Sequence, residues 1–135
     1  MKNLNVKLIF MLSLFGLTMA ILTAFWVTQQ QEMFIWPFLL LLSAYIMGTQ
    51  AKGSYFLNGF LVSICNCAYI LIIHLLFWKQ FTELNKDMMK HMHGFISDHP
   101  RMGMTMVGAG IGVASGTFLG LLSLAASKIF KKKAA

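Results

Sequence analysis

Apolar residues run along this chain in four long blocks, residues 8–28, 33–50, 55–78 and 102–127, and none of the four contains Asp, Glu, Lys or Arg. A bilayer-spanning helix needs about 20 predominantly apolar residues, so each block has spanning length. Backbone N–H and C=O groups find no partner in hydrocarbon, which leaves helices and closed barrels as the spanning forms. Barrel strands alternate apolar and polar positions, whereas Leu39-Leu40-Leu41-Leu42 and Leu71-Ile72-Ile73 run unbroken. The pattern therefore predicts an all-α integral membrane protein, a single domain over residues 1–135 with four transmembrane helices in an antiparallel bundle.

The polar gaps complete that picture. Gln29–Glu32 and Ala51–Ser54 are of a length that joins antiparallel neighbours. Pro37 then falls near the start of the second helix, where a missing N–H costs little. The third gap, residues 79–101, is longer. Within it Phe81, Leu84, Met88, Met92 and Phe95 recur at helical spacing with charges opposite, which predicts a short amphipathic helix in the outer loop between helices 3 and 4. Gly94 would end it, and His99-Pro100 leads into the fourth span.

Composition excludes a water-soluble domain: 58% of residues are hydrophobic and 11% charged, against about 25% charged in soluble proteins. Mean hydropathy is +0.70. The formal net charge of +7 would raise a nucleic-acid partner in a soluble protein, yet no basic patch interleaves with stacking aromatics, so nucleic acid is excluded. The bases mark orientation instead. Lys2, Lys7, Lys52, Lys128, Lys131, Lys132 and Lys133 share one side of a four-span chain. The opposite side holds Lys79, Lys86, Lys90 and Arg101 with all four acids, Glu32, Glu83, Asp87 and Asp98. The basic excess predicts that both termini are cytoplasmic, in the plasma (inner) membrane. Trp26, Trp36 and Trp78 would form a belt at the outer interface. Two alternatives attach to the ends. Thr18-Met19-Ala20 could close a signal peptide, although the apolar run continues to Val27. Lys132-Lys133-Ala134-Ala135 matches a dilysine retrieval pattern but reads more simply as a basic anchor.

Candidate functional features are sparse. Gly108, Gly112, Gly116 and Gly120 lie four apart and share one helix face. Small residues of this kind let helix backbones approach closely in lipid, either within the chain or between copies. Asn66 and His74 are the polar groups of interest inside the third span; Asn66 is expected to hydrogen-bond across helices to Ser13, Thr18 or Ser115, and His74 to snorkel toward the outer surface. Cys65 and Cys67 are two apart and point to opposite sides of a helix, so they neither pair nor chelate together. Asp87, His91, His93 and His99, with nearby methionines, are candidate ligands for a soft metal ion such as copper, though without a recognised spacing; no other cofactor is indicated. No acid–base pair and no activated nucleophile is present, so no enzyme is expected. The leading expectation is a membrane protein that acts by helix association, as a homo-oligomer or as an accessory subunit beside another membrane protein. The alternative is a small transporter or channel, for a metal ion through the His/Met-rich outer loop.

Overall fold

A computed structural model describes residues 4–91 and 93–131, apart from the side chains of Gln29, Phe95 and Lys131. Lys2, Met92, Lys132, Lys133 and the dilysine pattern ending at Ala135 lie outside the described residues. Among the described residues the regular structure is all helical: α1 (Val6–Phe25), α2 (Gln29–Gln50), α3 (Tyr55–Leu76), α4 (Trp78–Leu84), α5 (Lys86–Lys90), α6 (Phe95–Asp98) and α7 (Pro100–Lys131). α1, α2, α3 and α7 are long and apolar enough to cross a membrane. The end of the molecule that carries α4–α6 is termed outer below, and the opposite end inner.

Two boundaries depart from the sequence expectation. Gln29–Glu32 is not a linker but the first turn of α2, because Thr28 caps it: its backbone N–H donates to Gln31 Oε1 at 3.1 Å, one half of a capping box. Glu32 also sits where the helix dipole favours an acid. Pro37 consequently lies in the helix interior and offers no N–H to the carbonyl of Met33. The second departure is the outer loop, where one amphipathic helix gives way to three short ones. Asn85 stands between α4 and α5 with φ −110° and ψ 37°, outside helical geometry, and its side chain donates back to the Phe81 carbonyl at 3.0 Å. Gly94 adopts φ +63°, which only glycine enters freely, and separates α5 from α6.

The glycine ridge of α7 is covered by α3. A Cβ placed on Gly108 would meet Leu71, on Gly112 Cys67, on Gly116 Phe60 and on Gly120 Phe56. Ascending numbers on α7 meet descending numbers on α3, so these two helices run in opposite directions. Their backbones touch where a Cβ on Gly59 would lie 2.9 Å from the Leu119 carbonyl oxygen and 3.1 Å from Gly120 Cα. On the far side of α3, α1 runs in the same direction, with Asn5, Gly16 and Thr23 opposite Asn58, Asn66 and His74.

α2 joins this array through its inner half. Gly48 packs on Ala126 and Ser127, and Tyr45 meets Phe130 edge-on with centroids 4.9 Å apart. The hydrophobic core therefore sits at the inner end, built from Leu8, Ile9, Leu12, Ala44, Met47, Ala51, Val62 and Leu119. Fully buried Asn58 fastens that end, accepting from Asn5 N–H at 3.0 Å and donating to the Gly53 carbonyl at 2.8 Å. In contrast, no residue from 30 to 42 of α2 is buried. Its outer half stands away from α3 and α7.

Candidate functional site

The separation of α2 opens a cavity of about 580 Å³ in the outer half of the molecule, within the range of small-molecule sites. α2 contributes Glu32, Met33, Trp36, Pro37 and Leu40 to its wall; α3 contributes Ser63, Asn66, Cys67, Ile70, Leu71 and His74. From α7 come Gly103, Met104, Val107, Gly108, Ile111 and Ser115, and Phe81, Met88, His91, His93 and Ile96 close the outer end. From Gly103 to Ser115 the helix rises about 18 Å. The walls are mainly apolar, with a few polar groups at defined depths.

At the deep end Ser63 and Ser115 join across α3 and α7, their hydroxyl oxygens 2.8 Å apart. Ser115 already donates to the Ile111 carbonyl at 2.7 Å, so Ser63 is the donor between them. Cys67 gives its S–H to the Gly108 carbonyl at 2.9 Å, and Cys65 packs instead against the inner core. Both thiols are free and face different neighbours, as their spacing implied. On α2, the Trp36 indole N–H donates to Glu32 Oε1 at 2.6 Å. Sequence reasoning assigned Glu32 to a linker and so missed it as a cavity residue; the Thr28–Gln31 capping pattern was the signal that could have recovered it.

His74 does not snorkel. It is buried, its Nε2 lies 2.8 Å from Thr23 Oγ1 on α1, and its ring stacks on Phe81 with centroids 4.2 Å apart. The reason is the turn at Phe77, which folds α4 back so that Phe81 covers the ring instead of water. Nδ1 has no hydrogen-bond partner. Asn66 also departs from expectation. Its Oδ1 is buried without a hydrogen-bond partner, because Ser115, Ser13 and Thr18 each give their one hydroxyl hydrogen to a carbonyl of their own helix.

The metal candidates are not gathered into one site. The Asp87 carboxylate pairs with Lys90 at 3.2 Å, and His91 Nδ1 donates to the Asp87 backbone carbonyl at 2.6 Å. His91 and His93 both border the outer end of the cavity, and His99 is exposed. Among the described residues no three His, Cys, Asp or Glu side chains converge as a metal-binding group. Comparison with protein-family models, curated proteins and solved structures finds no match to this chain.

Proposed function

We propose that this is a non-enzymatic protein of the plasma (inner) membrane, crossing it four times as an antiparallel bundle with both termini cytoplasmic, and that it holds an amphiphilic molecule in the cleft between α2, α3 and α7. The observation that carries the reading is the asymmetry of packing along α2. Its inner half is locked into the core through Met47 and Gly48, whereas its outer half forms one wall of the cavity. A merely loose bundle would be loose at both ends. Apolar walls suit a hydrocarbon tail, and a small number of placed polar groups is how such pockets fix orientation. The packed inner core lies between the cleft and the cytoplasmic end, which favours holding a molecule over conducting one. The glycine ridge supports intrachain assembly: α3 covers it, so it leaves no free surface there for a second copy.

The test uses Trp36, which borders the cavity. With Trp26→Phe and Trp78→Phe, it becomes the sole indole of the protein. In nanodiscs, an added long-chain amphiphile should change Trp36 emission saturably, at one molecule per chain. Val107→Phe with Ile111→Phe, which fills the cleft, should abolish the change. A response that grows linearly with amphiphile in the bilayer, alike in both proteins, would mean that ordinary lipid fills the cleft.

A further inference from the structure

Resting on the cleft as a binding site, we infer that its ligand is an amphiphile with a single positive charge, and that the Glu32 carboxylate is the counter-charge that selects it. Glu32 is the only Asp, Glu, Lys or Arg among the described residues that line the cleft. Its side chain is half-buried and held at the wall: Oε1 accepts the indole N–H of Trp36 at 2.6 Å, and Trp36 borders the same cavity one helical turn further in. Among the described residues Oε2 has no hydrogen-bond partner, and no cation pairs with the carboxylate.

The bases of the outer end are engaged elsewhere. Lys90 pairs with Asp87, the Arg101 guanidinium lies over the Trp78 ring at 5.7 Å from its centroid, and Lys79 and Lys86 are exposed. None of the four borders the cleft. The simplest role for Glu32 is that of an acid in the first turn of α2, favoured by the helix dipole. That dipole supplies only about half a positive charge, so the mouth of the cleft stays net negative. A carboxylate in a mainly apolar wall is costly without a full counter-charge, and is therefore selective for a ligand that brings one. Low polarity around it strengthens the attraction. With the head at Glu32, the tail runs inward beside Leu40, Val107 and Ile111. An anionic head would meet like charge there, and a zwitterionic phospholipid would bring its phosphate to the same acid. A second positive charge would find no second acid in the cleft. A long-chain ammonium meets these terms, and both amine lipids such as sphingoid bases and cationic surfactants carry one.

Three amphiphiles of equal chain length separate this inference from the reading beneath it: dodecyltrimethylammonium, dodecanol and dodecyl sulfate. Each is titrated into zwitterionic nanodiscs with Trp36 as the sole indole, and its affinity is expressed as mole fraction in the bilayer, so that partition into lipid cancels. With Glu32 intact, the cation should bind about tenfold more tightly than the alcohol, and the sulfate most weakly. In Glu32→Gln, which keeps an oxygen for the Trp36 indole and removes the charge, cation and alcohol should bind alike. If cation and alcohol bind the Glu32 protein saturably with equal affinity, the counter-charge is refuted and the cleft still binds amphiphiles. A cation preference that survives whole in Glu32→Gln refutes it too. If none of the three binds saturably, the cleft reading itself fails. The comparison with Glu32 intact decides the first and last of these points even if the variant does not fold. Sphingosine against dodecyltrimethylammonium then tells an amine lipid from a cationic surfactant, the tighter binder naming the source.

Discussion

Asn66 on α3 occupies the space that a side chain on Gly16 of α1 would need: a Cβ on Gly16 would lie 2.5 Å from both the Cα and the Oδ1 of Asn66. The carboxamide oxygen faces a glycine Cα–H at a helix interface, a weak interaction at best, and it has no conventional donor. Close approach of α1 and α3 at mid-span therefore depends on Gly16 having no side chain, while Asn66 gains no hydrogen bond from the meeting.

The two residues should consequently respond in opposite ways. Gly16→Ala places a methyl against backbone and should lower stability by about 1–3 kcal/mol, as overpacking does. Asn66→Ala removes an unsatisfied buried oxygen and should stay within about 1 kcal/mol of wild type, or gain. Thermal unfolding in mild detergent reads both. A large loss for Asn66→Ala would show that the amide is bonded after all.

The α7 ridge offers a sharper contrast within one helix. Gly112 is buried with Cys67 beside it, whereas a Cβ on Gly110 would meet nothing within 4 Å. Gly112→Leu should reduce expression and thermal stability, with no folded species of smaller size on gel filtration. Gly110→Leu should cost only a few tenths of a kcal/mol at most, since a surface leucine replaces a weak helix former. A folded monomer released by Gly112→Leu from a larger assembly would place a second copy, not α3, on the ridge.

Much of this architecture is legible in the sequence because hydropathy reports each helix separately. The four apolar blocks and the spacing of Gly108, Gly112, Gly116 and Gly120 need no knowledge of neighbours. The site is different in kind. Whether Pro37 is terminal or interior depends on whether Thr28 caps the helix three residues before Gln31, a local choice that hydropathy does not register. Whether His74 reaches water depends on where Phe81 lands after the turn at Phe77. The cavity itself is the absence of packing between α2 and its neighbours, and no residue pattern encodes an absence.

The metal expectation can be measured directly. Asp87 is committed to Lys90, and the His91 ring to a backbone carbonyl. Protein purified without chelator should have the same copper and zinc content as its His91→Ala/His93→Ala variant by mass spectrometry. About one equivalent in the wild type, lost in the double variant, would establish a metal site at the outer rim.

Topology is the remaining prediction, and exposed positions make it testable without ambiguity from burial. Gln30, Lys52 and Glu83 are all exposed, so a cysteine at any of them is chemically reachable from its own side of the membrane. The native thiols must first be removed. Cys65→Ala suits a small apolar position, and Cys67→Ser keeps a donor for the Gly108 carbonyl that Cys67 now serves. The excess of lysines near Lys52 and both chain ends predicts that this side faces the cytoplasm. An impermeant maleimide added to intact cells should therefore modify cysteines at Gln30 and Glu83, and should modify one at Lys52 only after permeabilisation. The cleft faces the same side as Gln30 and Glu83, since Glu32, His91 and His93 border it. Labelling at Lys52 with protection at Glu83 would invert the protein and turn the cleft toward the cytoplasmic leaflet. Labelling at both Lys52 and Glu83 in intact cells would leave α3 unable to span, and with it the four-helix topology.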